Sequence, residues 1–150
     1  MAESNLPIRQ TEPGSGIVEY AGYRIVVIRT AHQGTGEQAD ILNTIVCIGS
    51  GSDWYVQLWD SILTGATLET MRDYGVEEPR AVFANLYQIV PQSQRKMIEL
   101  MGAENVFCIH YPFRQNDEYG IYRQIVRFIE KANDPFLDDM IVPDPMSRIL

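Results

Sequence analysis

The sequence predicts a single α+β domain. Its mixed β-sheet joins an N-terminal antiparallel hairpin to a βαβ unit, packs with three to four helices and carries extended arms at both ends. Three observations predict this. Runs of β-branched and aromatic residues of strand length fill the chain up to residue 50. A stripe at helical spacing runs along Ile121, Ile125, Phe128, Ile129 and Ala132. Between these, strand-like and helix-like segments alternate from 81 to 133, the pattern of parallel strands joined by crossovers.

In chain order, 1–15 is polar and aperiodic, with Pro7 and Pro13, and reads as an arm. The run IVEYAGYRIVVIRT (17–30) breaks at Ala21-Gly22, which predicts a strand pair or one long strand with a bulge. AHQGTGEQAD follows as a hairpin loop, and ILNTIVCIG (41–49) returns as a strand. In 53–65, Trp54, Leu58, Trp59 and Ile62 recur at helical spacing behind Ser52 and Asp53. A capped helix is therefore favoured over a second strand WYVQLW. Thr67 is expected to cap a helix closed by Gly75. AVFANLYQIV (81–90) is apolar on both faces and reads as a central strand ended by Pro91, with Ala and Leu leaving a helix as the alternative. Ser93 is expected to cap the next helix, which stops at Gly102. NVFCIHY (105–111) reads as a short buried strand, and Asp117 opens the longest helix. The globular part is thus 16–133. The tail 134–150, with three prolines and eight large apolar residues, is too broken for a helix and reads as an extended C-terminal arm.

Whole-chain properties exclude several kinds of chemistry. At 150 residues the chain suits one domain and can bury a sizeable core without staples, with roughly 70% of its unfolded surface removed from water. A net charge of −8 leaves too few cations for nonspecific phosphate binding, so no direct nucleic-acid contact is expected. No apolar run reaches membrane-spanning length, and no membrane contact is expected. The N-terminus lacks the basic flank and apolar core of a signal peptide, which predicts an intracellular (cytoplasmic) or virion location. Cys47 and Cys108 sit inside apolar runs and read as buried thiols.

Motifs for reactive chemistry are incomplete. IGSGSDW matches only the first half of a dinucleotide fingerprint, because Trp54 stands at the third glycine. A Walker loop needs a lysine, and Lys96 and Lys131 are the only ones. Cys108 and His110, at i and i+2, share a strand face and form the one nucleophile–base candidate. Three or four metal ligands at standard spacing are missing, so neither metal nor cofactor is expected.

The expected function is therefore non-enzymatic: a structural or assembly protein working through contacts with other protein subunits, in a homo-oligomer or larger complex. A virion or phage tail/connector component is its most concrete form. The contact candidates are Trp54, Trp59 and Phe136 as aromatic anchors, Arg123 and Arg127 as polar contacts on the last helix, and Met140, Ile141 and Val142 as a docking strand. Two alternatives remain. The acids Asp53, Asp60, Glu69, Asp73, Glu77 and Glu78 face only Arg72 and would suit an acidic inhibitor or adaptor of a basic protein. A small α/β enzyme or ligand-binding domain would use Cys108, His110 and the Gly49–Ser52 turn.

Overall fold

The computed structural model describes residues 9–12, 15–32, 42–112 and 116–143. Seven strands form one sheet in sequence order: β1 (Arg9–Glu12), β2 (Ser15–Tyr20), β3 (Tyr23–Ala31), β4 (Leu42–Ser50), β5 (Asp53–Gln57), β6 (Ala81–Ala84) and β7 (Val106–Cys108). The helices are α1 (Gly65–Asp73), α2 (Leu86–Ile89), α3 (Gln92–Glu99), α4 (Ile121–Ala132) and α5 (Pro135–Asp138). The first five strands are an antiparallel meander. β6 and β7 then add in parallel, each after a helical crossover. This is the mixed α+β sheet the sequence predicts.

Local chemistry sets the elements. The turn between β2 and β3 needs two left-handed residues, and Ala21 (φ 49°) and Gly22 (φ 83°) supply them in the mirror-image turn that matches strand twist. β5 is a strand, which corrects the expected helix over 53–65. Trp54 and Val56 are buried while Tyr55 is exposed, an alternation of two. Gly49 makes that possible. It lies directly across from Trp54, and a Cβ on it would sit 2.6 Å from the indole ring.

Other boundaries also move. Thr64, rather than Thr67, caps α1, and the two form a reciprocal capping box. β6 stops at Ala84 because Asn85 caps α2 in a second such box with Gln88. The predicted ten-residue strand is thus a strand plus a helical turn. Pro91, not Ser93, precedes α3, and no side chain caps it. Asp117 does serve the longest helix: its carboxylate accepts from the N–H groups of Ile121 and Tyr122 at 2.6 and 3.0 Å.

The arms are less extended than expected. Residues 9–12 pair with β2 as an edge strand. From 134 the chain folds back on the domain: Asp134 caps α5, Leu137 is fully buried and Met140 nearly so. Arg95 fixes this turn, bonding Asp134 at 2.9 Å and the Ile89 carbonyl at 2.7 Å. Ile141 then adds a parallel bridge to β7, taking the Cys108 N–H at 2.9 Å and giving its own to Val106 at 2.8 Å. The hairpin loop 33–41, the N-terminal 1–8 and the tail 144–150 lie outside the described residues.

Register shows where the core lies. Directly paired positions form one row across the sheet, Ile17–Val26–Cys47–Val56–Val82–Val106. That row faces the helices and packs against Leu68, Met71, Ile89, Ile98, Ile125 and Leu137. The predicted stripe of α4 joins the same cluster. Every described helix that contributes to the core does so on this one face.

Candidate functional site

Two regions of this frame are candidates for function: the other face of the sheet, and the carboxyl ends of its parallel strands.

The opposite face is built from the alternate strand positions. One row runs Gly16–Val27–Val46–Gln57–Phe83–Phe107 and ends on the bridge to Ile141. The neighbouring row runs Val18–Ile25–Ile48–Tyr55–Ala81. None of these side chains belongs to the helix-covered core. Ile48 is 42% exposed, Tyr55 46% and Ile141 38%. Tyr20 and Tyr23 extend the patch at one end, Leu42 at the other, all at least half exposed. Phe83 and Phe107 stack at 5.2 Å between centroids, so their rings cover one another and not a helix. Among the described residues the only charges whose register places them on this face are Arg29 and Asp53, at opposite ends of the strands.

At the carboxyl ends of β3, β5, β6 and β7 both histidines of the chain converge on one carboxylate. His110 Nδ1 stands 3.4 Å from Asp60 Oδ1, and His32 Nε2 stands 3.7 Å from Oδ2. Asn85 donates to the same carboxylate at 2.5 Å and to the Trp59 carbonyl at 2.9 Å. Gln88, fully buried, donates to the Trp59 and Ser61 carbonyls and accepts from the Asn85 N–H. Trp59 (φ 48°) and His110 (φ 63°) both hold left-handed backbone, a strained state that the network around them maintains. Parallel sheets place ligand sites at this end. An imidazole 62% exposed, with a carboxylate oxygen 3.4 Å from one ring nitrogen, is a candidate general base. Among the described residues no three His, Cys, Asp or Glu side chains are placed to share a metal ion.

The sequence-predicted contacts divide. Trp54 is core, 2% exposed, with Arg24 over its ring at 5.1 Å; its register puts it under the helices. Trp59 is half exposed beside the Asp60 cluster. Phe136, Met140 and Val142 pack into the domain's own core, so the expected docking strand docks on its own sheet, and only Ile141 among them reaches the open face. Arg123 and Arg127 stand exposed on α4. Cys108 and His110 do not share a strand face. β7 ends at Cys108, the thiol is buried, and its pKa is pushed up to about 12 by that burial, which disfavours the reactive thiolate. The Gly49–Ser52 turn precedes β5, at the opposite end of the parallel strands from His110. Two of the run's acids, Glu77 and Glu78, line a cleft of about 220 Å³ with an apolar floor of Val56, Leu68 and Met71.

Sequence reasoning passed over Asn85, Gln88 and the open sheet face, and took Asp60 only as one acid of a charged run. Asn85 and Gln88 had a readable signal, the Asn-x-x-Gln spacing of a capping box after an apolar strand. No family model, no curated protein and no solved structure matches this chain.

No helix among the described residues is long and apolar enough to cross a membrane.

Proposed function

We propose that this is a non-enzymatic assembly protein whose uncovered sheet face is its contact surface. The observation that carries the reading is the pair of apolar rows centred on Val46, Ile48 and Tyr55, which no described helix covers. An antiparallel sheet exposed to water normally alternates apolar and polar residues. Here the face away from the helices is mainly apolar across six strands, with Ile48 and Tyr55 exposed at its centre and Val18 and Ala81 buried at its edges, and exposed apolar patches mark contact surfaces. A virion or tail-connector subunit remains one concrete setting for such a protein.

The test uses the full chain carrying Ile48→Lys with Tyr55→Glu. Both side chains are over two-fifths exposed, so the fold tolerates the change. The wild-type chain is expected either to associate or to bind an apolar-surface dye such as bis-ANS, and the double variant to lose that property with an unchanged far-UV spectrum. A wild-type chain that neither associates nor binds dye defeats the assignment. Deleting 134–150 is a poor test, because Leu137 and Met140 leave the core with it.

A second reading, a small enzyme or ligand-binding domain, is favoured by the convergence of His32 and His110 on Asp60. Its base would be His110, oriented by Asp60, and Cys108 would take no part. Turnover of a model ester that is lost in His110→Ala and kept in Cys108→Ala would support it; no turnover in the wild-type chain would count against it.

A further inference from the structure

We infer that the occupant of the open sheet face is a second copy of this chain, stacked face to face about a twofold axis. This rests on the contact-surface reading above and names its partner.

Charge selects the occupant. The chain carries −8, so two copies repel wherever their acids meet. The acids Glu69, Asp73, Glu77 and Glu78 lie in and after α1, on the helix side. The open face holds only Arg29 and Asp53 among the described residues, and Arg80 stands 3.7 Å from Asp53. This is therefore the surface on which a like-charged copy approaches with the fewest like charges opposed. A basic partner, by contrast, would find almost no carboxylate there.

Area and shape agree. Strands spaced about 4.8 Å apart, carrying the two rows and the flanking Tyr20–Tyr23 pair at about 7 Å spacing, give a footprint of roughly 500 Å² in projection. The accessible surface of such a corrugated patch exceeds its projection and approaches the roughly 800 Å² per partner of a standard interface. Face-to-face sheets pack about 10 Å apart with their strands about 30° off parallel. A twofold stack is isologous, so the central residues Val46 and Ile48 meet their own counterparts. Tyr20, Tyr23 and Leu42 form the rim.

The experiment is sedimentation equilibrium of the full chain over a wide concentration range, with Ile48→Lys and Tyr55→Glu made separately. Tyr87→Lys is the control, a more exposed aromatic on α2 in the helix layer. A wild-type dimer is expected. Each face variant places two like charges near the axis, and the dissociation constant rises by roughly 100-fold or more, while Tyr87→Lys leaves it unchanged. A wild-type monomer at every concentration overturns the second copy. If that monomer still binds bis-ANS, and Ile48→Lys removes the binding, the face serves a different protein and the contact-surface reading survives. If it binds no dye, both fall. A dimer weakened by Tyr87→Lys and untouched by the face variants also overturns the stacked arrangement.

Discussion

The two faces of the sheet are made from the same residue types and have opposite fates. On one, Val26, Cys47, Val56 and Val82 are sealed under helices with no accessible surface. On the other, Ile25, Ile48 and Tyr55 occupy adjacent positions in the same strands and meet no helix among the described residues. The cause is topological. The crossovers after β5 and β6, and the chain after β7, return their helices to one side, as same-handed crossovers stepping in one direction must. Hydrophobicity alone does not decide what is core; connection direction decides it.

The largest expected contrast comes from truncating neighbours on the two faces. Trp54→Ala removes a buried indole and is expected to cost about 3–5 kcal/mol. Tyr55→Ala, one residue on, is expected to cost under about 1 kcal/mol when measured at a dilution where the chain is monomeric. Urea unfolding measures both. Equal costs would mean that the second face is covered after all.

The carboxyl end of the sheet gives the next effect. Gln88 satisfies the Ser61 carbonyl and the Asn85 N–H inside the protein. Gln88→Leu keeps the volume and leaves those groups without it, at an expected cost of about 2 kcal/mol. Gln92→Leu, on the exposed start of α3, is the matched control and should change little.

How much of this was legible depended on which physics spoke locally. The β2–β3 turn and the α4 stripe were readable because short-range rules fix them: two left-handed residues, and a repeat of 3.6. β5 was misread because Trp54, Leu58 and Trp59 satisfy helical spacing too. What decides for strand is Gly49 opening room for the indole, a contact between strands that no window of sequence contains. The Asp60 cluster was half legible. Asn85 and Gln88 announce a cap, but the meeting of His32 and His110, 78 residues apart, follows only from strand order. The open face had its trace in RIVVIR and TIVCI, where consecutive apolar residues require both faces to be greasy. That pattern equally fits a strand buried on both sides. Which side stays open was not encoded locally.

Alkaline pH sharpens the contrast on the covered face. Cys47 and Cys108 are buried there, and both thiols are pushed from 9.0 to about 12 by burial. An acid whose pKa is raised on folding contributes stability below its unfolded value and loses it as pH rises toward the folded one. Stability should thus hold up to about pH 9 and fall between 9 and 12, by up to about 1.4 kcal/mol per pH unit for each thiol. Cys47→Ala or Cys108→Ala should each flatten that fall, though each lowers the starting stability by leaving a small void.

The smallest effect belongs to the outside of the helical layer. Arg123 and Arg127 stand one turn apart on the exposed ridge of α4 and were expected to be polar contacts. If association runs through the open sheet face, this ridge lies on the far side of the molecule from it. Reversing both charges, Arg123→Glu with Arg127→Glu, should then change unfolding free energy by no more than about 0.5 kcal/mol. It should also leave the self-association constant within about twofold, the change reflecting only the more negative net charge acting through screened distances. Light scattering at two salt concentrations separates the outcomes. A weakening that disappears at high salt is that long-range repulsion and leaves the sheet face in place. A loss of association that salt does not restore would move the contact surface from the sheet to α4, because only a direct contact survives screening.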